Sequence, residues 1–310
     1  MGIHHTAIIG DFVKIGANVS IGAYAVVGDG VEIGDNTSIE SHACIRRGSR
    51  IGSNCKIGSF AVISGEPQDL HFDSSIESYV EIGDGTTVRE GATIHRATVP
   101  ESSTKVGKNC LVMATSHIGH DCELGDNCIL ANFSALAGWV KTDSNCFISG
   151  GVMLHQKIRV GEGAIVSGNS AFSLDIPPFV NAYGRNDMTG LNIIGLSRRG
   201  VSREAVAELK RLYSRVFATL SVRKNAIDAL ESGMATTPEG IKFLEFFKME
   251  KAILDVDCSD GAGRGAMLCD FRWWLHDEEK IKDMILTDAD TESFQQELFE
   301  AIYSVTGQKA

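Results

Sequence analysis

From His4 onward, aliphatic residues close six-residue units at Ile9, Ile15, Ile21, Val27, Ile33, Ile39, Ile45, Ile51, Ile57 and Ile63. A second, gap-free run starts at Gly107 and closes units from Val112 and Ile118 through Leu130 and Leu136 to Val166 and Phe172. The fourth place of each unit is small or β-branched, as at Ala25, Val31, Cys110 and Cys128, and glycine often follows the closing residue. A period of six suits neither a 3.6-residue helix nor a simple hairpin sheet. It predicts short strands joined by tight corners, with one large and one small side chain inward per side. Glycine is expected near the corners for its backbone freedom. Three sides make an 18-residue coil, and stacked coils make a solenoid prism.

Two stretches break the period. Residues 64–82 form one excursion, and residues 95–106 read either as a loop or as two degenerate units. Excursions from a solenoid usually carry function or subunit contacts. The period ends near Phe172, and Asp175-Ile176-Pro177-Pro178-Phe179 reads as a stop and change of direction. Helical patterning follows, with Val206, Leu209, Leu212, Tyr213, Val216 and Leu220 on one face and Ser202 as N-cap. Further helices are expected over Glu239–Leu254, capped by Thr237 before Pro238, and over Thr291–Tyr303. The reading is a mainly β chain: a parallel β-helix domain over 1–185, then an α-helical C-terminal domain over 186–310. Residues 225–310 are an extension without assignment.

Residues 18 apart should stack at the usual strand spacing of about 4.8 Å. His120 then lies beside Gly138, which lies beside Gln156, and His155 lies over Ala137 and Gly119. With His117 three residues from His120, one corner collects His117, His120, His155 and Gln156 next to bare glycine backbone. A neutral imidazole there is a competent general base near neutral pH. The plain alternative for any single histidine is a polar outer face. His117 and His120 are spaced HxxH and no CxxC pair occurs, so neither a metal site nor a cofactor is expected. Cys55, Cys110, Cys122, Cys128 and Cys146 all occupy the fourth place of the repeat, where each serves as a small buried hydrophobe.

Charge narrows the partners. The 310 residues carry a net charge of -11, which argues against a whole-protein nucleic-acid binder. No apolar run reaches the roughly 18–20 residues that span a bilayer, so stable membrane insertion is not expected. Met1-Gly2-Ile3-His4-His5 has no basic region leading into an apolar stretch, and a cytoplasmic location is expected. Between Leu191 and Lys224, however, eight basic residues face only Glu204 and Glu208. Such a stretch suits an acidic protein partner.

Longer motifs are more specific than the repeat. Met113-Ala114-Thr115-Ser116-His117-Ile118-Gly119-His120-Asp121-Cys122, Pro67-Gln68-Asp69-Leu70, Thr93-Ile94-His95-Arg96 and Asp175-Ile176-Pro177-Pro178 are four of them. Asn192-Ile193 and Gly195-Leu196-Ser197-Arg198-Arg199-Gly200 complete the set. Over residues 1–225 the chain resembles the UDP-N-acetylglucosamine O-acyltransferases of lipid A biosynthesis, within the hexapeptide-repeat transferases. The resemblance implies a left-handed helix, a homotrimer with sites between chains, and transfer of a (3-hydroxy)acyl chain from acyl-carrier protein to the sugar 3-position. It assigns His120 as general base; beside it, the 18-residue stacking offers the bare N–H of Gly138 as oxyanion donor, and Asp121 is the candidate to hold the imidazole. Asp69, Met113, His117, His155, Gln156, Asn192, Arg198 and Arg199 become substrate contacts, and Gly168 the ruler of acyl length. Three positions depart from the family: Trp139 where histidine is usual, His71 for a lysine, and Ile194 for a polar residue. They leave open a related UDP-amino-sugar, or acyl-coenzyme A as donor. A non-catalytic or metal-binding solenoid is the reading from a different class. His120 and Gly168 lie 48 residues apart, not a multiple of 18, which puts them on different corners and calls for two chains around one pocket.

Overall fold

Each six-residue unit contributes a strand, usually of two residues, and the strands fall into three sheets, one per face of a prism. A computed structural model describes residues 2–219 and 221–248. The first face holds nine strands, from Ile8–Ile9 to Ala171–Phe172. The second holds eight, from Lys14–Ile15 to Arg159–Val160. The third holds ten, from Ser20–Ile21 through Ile165–Val166 to Val180–Tyr183 and Asp187–Leu191. The chain visits the faces in turn as a left-handed parallel β-helix. In the regular part the register steps by 18, so that His117 pairs with Ala135 and Ala135 with Met153.

The closing aliphatics and the small fourth-place residues fill the prism; Ile45, Ile57, Leu130, Ala25, Cys55 and Cys128 are wholly buried. The cysteines add something to packing. The thiols of Cys55, Cys110, Cys128 and Cys146 donate to the carbonyls of Gly83, Gly125, Asp143 and Gly161, each at the corner one coil on. Gly30, Gly85 and Gly91 take left-handed backbone at corners, as expected, but glycine directly after the closing residue has another cause. A Cβ on Gly22 would lie 2.5 Å from the Ser41 nitrogen of the next coil, so glycine is required there by coil-to-coil contact. The left-handed backbone falls two places later, at residues such as Asn18, Tyr24, Phe60 and Trp139, with φ near +60°.

Outward residues differ by face. The second presents Lys14, Glu32, Arg50, Glu81, Lys105, Glu123, Lys141 and Arg159, cross-linked by pairs such as Lys14–Glu32 and Lys141–Glu123. The first presents Ile8, Val26, Cys44, Val62, Ala135, Met153 and Ala171, with Thr93 and His117 between them. The upper third face presents Leu111, Ile129, Phe147 and Ile165.

Both interruptions leave the corner between the first and second faces. The first is shorter than the sequence suggested, because the strand Tyr79–Ile82 already belongs to the second face. Of the two spans in 95–106, one is a loop and the other a regular unit with Thr104 and Val106 buried. The solenoid also outlasts the period. Ile176 bridges to Val160, and Val180–Tyr183 adds a parallel strand to the third face, although Pro177 and Pro178 intervene. Asp175 supports this irregular coil by accepting from the backbone and Nε of Arg159, both at 2.9 Å.

The boundary expected at 185/186 falls inside the turn of an antiparallel hairpin, and helix begins only at Ile193. Helix α1 spans Ile193–Arg198, α2 Arg203–Val216, α3 Val222–Glu231 and α4 Pro238–Glu245. Ser202 and Thr237 cap α2 and α4 as expected, through Ala205 N–H and Gly240 N–H. The sequence reading did not anticipate α1 or α3. The end of the helix expected to reach Leu254, the helix over Thr291–Tyr303 and the segment Cys258–His276 lie outside the described residues.

Candidate active site

His120 turns the corner after the strand His117–Ile118 and is 6% exposed. Its Nδ1 lies 2.8 Å from Asp121 Oδ2. The Asp121 carboxylate also accepts from Thr98, from the backbone N–H at 3.1 Å and the hydroxyl at 2.7 Å. The Asp121 N–H in turn donates to buried Thr104 Oγ1. Burial alone would raise the Asp121 carboxyl, yet the hydrogen bonds from His120 and Thr98 hold it below its ordinary value. An ionised Asp121 fixes the proton on Nδ1 and leaves Nε2 as the free base.

Gly138 sits directly against the ring: a Cβ there would lie 2.4 Å from His120 Cε1. Its N–H has no acceptor among the described residues. At equivalent corners that N–H is taken by a side chain 18 residues on, as Lys108 N–H is by Asp126 and Ala17 N–H by Asp35. Gln156 occupies that place above Gly138 and makes no such bond. Trp139 packs edge-to-face on the imidazole with centroids 4.5 Å apart. On the other side, His117 Nδ1 bonds Thr93 Oγ1 at 2.8 Å, and His95 stacks edge-on against His117. Burial, then the neighbouring His117, His120 and Arg46, push His95 down to about 4. Burial and then His120 also lower His117. Both rings are therefore neutral near pH 7.

These groups line a groove of about 470 Å³ along the corner, from Gln68 past His117, His120 and Gly138 to His155, Gln156, Ser173 and Arg185. Asp69, next to Gln68, lies half-buried in the excursion and accepts from His71 N–H. Arg96 pins that excursion by donating to the carbonyls of Ile76 and Ser74. The other expected site residues lie elsewhere on the chain. Met113 and Gly168 turn the corner between the third and first faces. Asn192, Arg198 and Arg199 gather at the corner between the second and third. Asn192 is buried there, donating to Gly163 O and capping α1, and Arg199 pairs with Glu162 at 3.1 Å. Arg199 therefore does not join Arg203 and Lys210 in an open basic surface.

The sequence reading marked His95 only within a motif, without a role, and did not single out Thr98 or Arg185. Thr98 contacts Asp121 across 23 residues, and Thr93 pairs with His117 across 24, because the loop between them breaks the 18-residue step. Among the described residues no cluster of histidine, cysteine and carboxylate side chains suits a metal ion. None of their helices is long and apolar enough to cross a membrane.

Comparison with known proteins settles the family. Residues 175–254 match the family described as Udp N-acetylglucosamine O-acyltransferase, domain 2. Residues 12–47, 30–65 and 103–138 match the bacterial transferase hexapeptide repeat. An acyl-[acyl-carrier-protein]--UDP-N-acetylglucosamine O-acyltransferase from Anaeromyxobacter dehalogenans is 41% identical over 249 residues, covering 80% of this chain and 97% of the relative. The chain belongs to the UDP-N-acetylglucosamine O-acyltransferase family. A relative of the same name from Campylobacter concisus is 38% identical over 82% of this chain and 94% of its own. Among solved structures, the UDP-N-acetylglucosamine acyltransferase of Bacteroides fragilis aligns with a TM-score of 0.75 and 38% identity, covering 79% of this chain and 96% of that one. The Campylobacter jejuni enzyme aligns with a TM-score of 0.75 and 35% identity, over 81% and 98%.

Proposed function

We propose that this protein transfers an acyl chain from acyl-carrier protein to the 3-hydroxyl of UDP-N-acetylglucosamine, the opening step of lipid A biosynthesis, in the cytoplasm. One observation carries the mechanism: His120, braced by Asp121, faces a groove beside the unengaged N–H of Gly138. Nε2 removes the proton of the sugar 3-hydroxyl, and the oxygen attacks the thioester carbonyl. The oxyanion of the tetrahedral intermediate accepts a hydrogen bond from Gly138 N–H. Collapse expels the carrier thiolate, which takes the proton back from the imidazolium. No covalent enzyme intermediate and no cofactor is needed.

The working unit is a homotrimer. Exposed apolar patches of this extent are unusual on a monomer. Packing the first face of one chain on the third face of the next builds a closed threefold ring with the charged second face outward. That arrangement brings the His120 corner of one chain beside the neighbour's Asn192–Arg199 corner. Arg198, exposed and without an ion pair among the described residues, then reaches the nucleotide. Gly168, with Met113, lies toward the inner edge of the same interface, where the acyl tail is measured. Arg203, Lys210, Arg211 and Arg215 form the exposed face of α2 on which the acidic carrier docks; Glu208 is turned inward and does not offset them.

The test is incubation with UDP-N-acetylglucosamine and a 3-hydroxyacyl carrier protein. The expected product is the 3-O-acylated sugar nucleotide, formed one-for-one with free carrier thiol. No transfer, or transfer at another position, overturns the reading.

A further inference from the structure

Arg185 stands at the C-terminal end of the groove and is held there by its turn. Gly184 O accepts from Ala171 N–H, Gly184 N–H donates to Ser170 Oγ, and Arg185 bridges to Ala171. The next residue, Asn186, accepts from Ser173 N–H and Leu174 N–H and donates to Ser173 Oγ. A hairpin turn pinned this closely serves no packing need of Arg185, which is exposed. Its guanidinium makes no ion pair or hydrogen bond among the described residues, although it lines the groove. Lys157, on the same corner, lies over the Trp139 ring at 5.8 Å and outside the groove lining. Arg185 is therefore an uncommitted cation at the end of the groove opposite Gln68.

We infer that Arg185 forms a subsite for a phosphate ester, and that this ester is the phosphodiester of the acyl donor's pantetheine arm. The inference rests on the acyl-transfer reading of the same groove. Arg185 bridges to Ala171 from the next coil, four strand steps beyond His117, so its backbone stands about 19 Å along the corner. A pantetheine arm from phosphate to sulfur is as long as about four extended residues, ~14 Å, and the Arg185 side chain, which lines the groove, spans the remaining distance. With the phosphodiester on Arg185, the thioester reaches His120 and Gly138. A planar guanidinium suits this role because it grips phosphate oxygens in pairs. The sugar nucleotide is the other source of phosphate, but its sugar is assigned to the Gln68–Asp69 end.

Two donors with the same acyl group test this: acyl-phosphopantetheine and acyl-pantetheine, the second lacking the phosphate. Each is used with UDP-N-acetylglucosamine. Wild-type enzyme should favour the phosphorylated donor by roughly tenfold in kcat/KM, the worth of one charge-assisted contact. Arg185→Ala should bring the ratio close to one, and Arg185→Lys should keep part of it. A ratio unchanged in Arg185→Ala overturns the subsite. A raised KM for the sugar nucleotide with an unchanged donor ratio also overturns it, and assigns the guanidinium to the nucleotide. Should the wild type fail to acylate the sugar from any donor, carrier protein included, the acyl-transfer reading itself has failed, a result distinct from both.

Discussion

Gly138 is the residue on which the geometry of His120 most depends. The imidazole occupies the space a side chain would take, so Gly138→Ala must displace the ring by about an ångström or more. Misplacement of that size costs on the order of 10²-fold in rate. Asp121 acts on the same ring from the other side. Asp121→Asn keeps the shape but loses the charge that holds the proton on Nδ1, and a similar loss is expected. Both variants should lower kcat more than they raise KM for the sugar nucleotide. Steady-state kinetics check this, and a loss confined to KM would mean that neither residue serves the base. The juxtaposition of His120, Gly138 and Gln156 was legible from the 18-residue step alone. The Thr98 bond that steadies Asp121 was not, because it crosses the loop where the step fails.

At the scale of elements, the helical region is joined through one buried carboxylate. Glu208 on α2 accepts from the backbone and hydroxyls of Thr236 and Thr237, at the N-terminus of α4. Burial would raise this carboxyl, but those bonds lower it to about 2. A folded value below the ordinary 4.5 means stability fully present above about pH 4.5 and lost as pH falls toward 2. Glu208→Gln should flatten that part of the melting temperature against pH, and an unchanged acid limb would refute the coupling. Gly240 leaves room for the carboxylate, since a Cβ there would lie 2.1 Å from Glu208 Oε1. The sequence marked α2 and α4 through their caps and apolar faces. It gave no sign of Glu208's burial, which depends on how the helices meet. The short strands of the prism were readable because every unit repeats the same demand for one large and one small inward side chain. The irregular coil after Phe172 was not, because Asp175 and two prolines replace the repeat there.

At the scale of the whole molecule, the corners divide the proposed site. One chain brings together His95, His117, His120, Gly138, His155 and Gln156, whereas Asn192, Arg198 and Arg199 turn another corner and Gly168 a third. The proposed threefold ring, with the apolar first face inside the contact, would unite them. Met153→Asp on that face should shift the mass in solution from three chains toward one and remove activity with it. A fully active monomer in light scattering would sink the shared site. Gly168→Met should shorten the preferred acyl chain, because a packed groove has no room for the added volume. An unchanged chain-length profile would mean that the tail runs elsewhere. The most direct test of the central claim is the transfer rate of His120→Ala, with acyl-carrier protein and UDP-N-acetylglucosamine, beside the wild type. A fall of about 10²–10⁴-fold in kcat, with the trimer intact and the sugar-nucleotide KM little changed, is the predicted result. A folded His120→Ala protein that still transfers at near the wild-type rate would contradict the account.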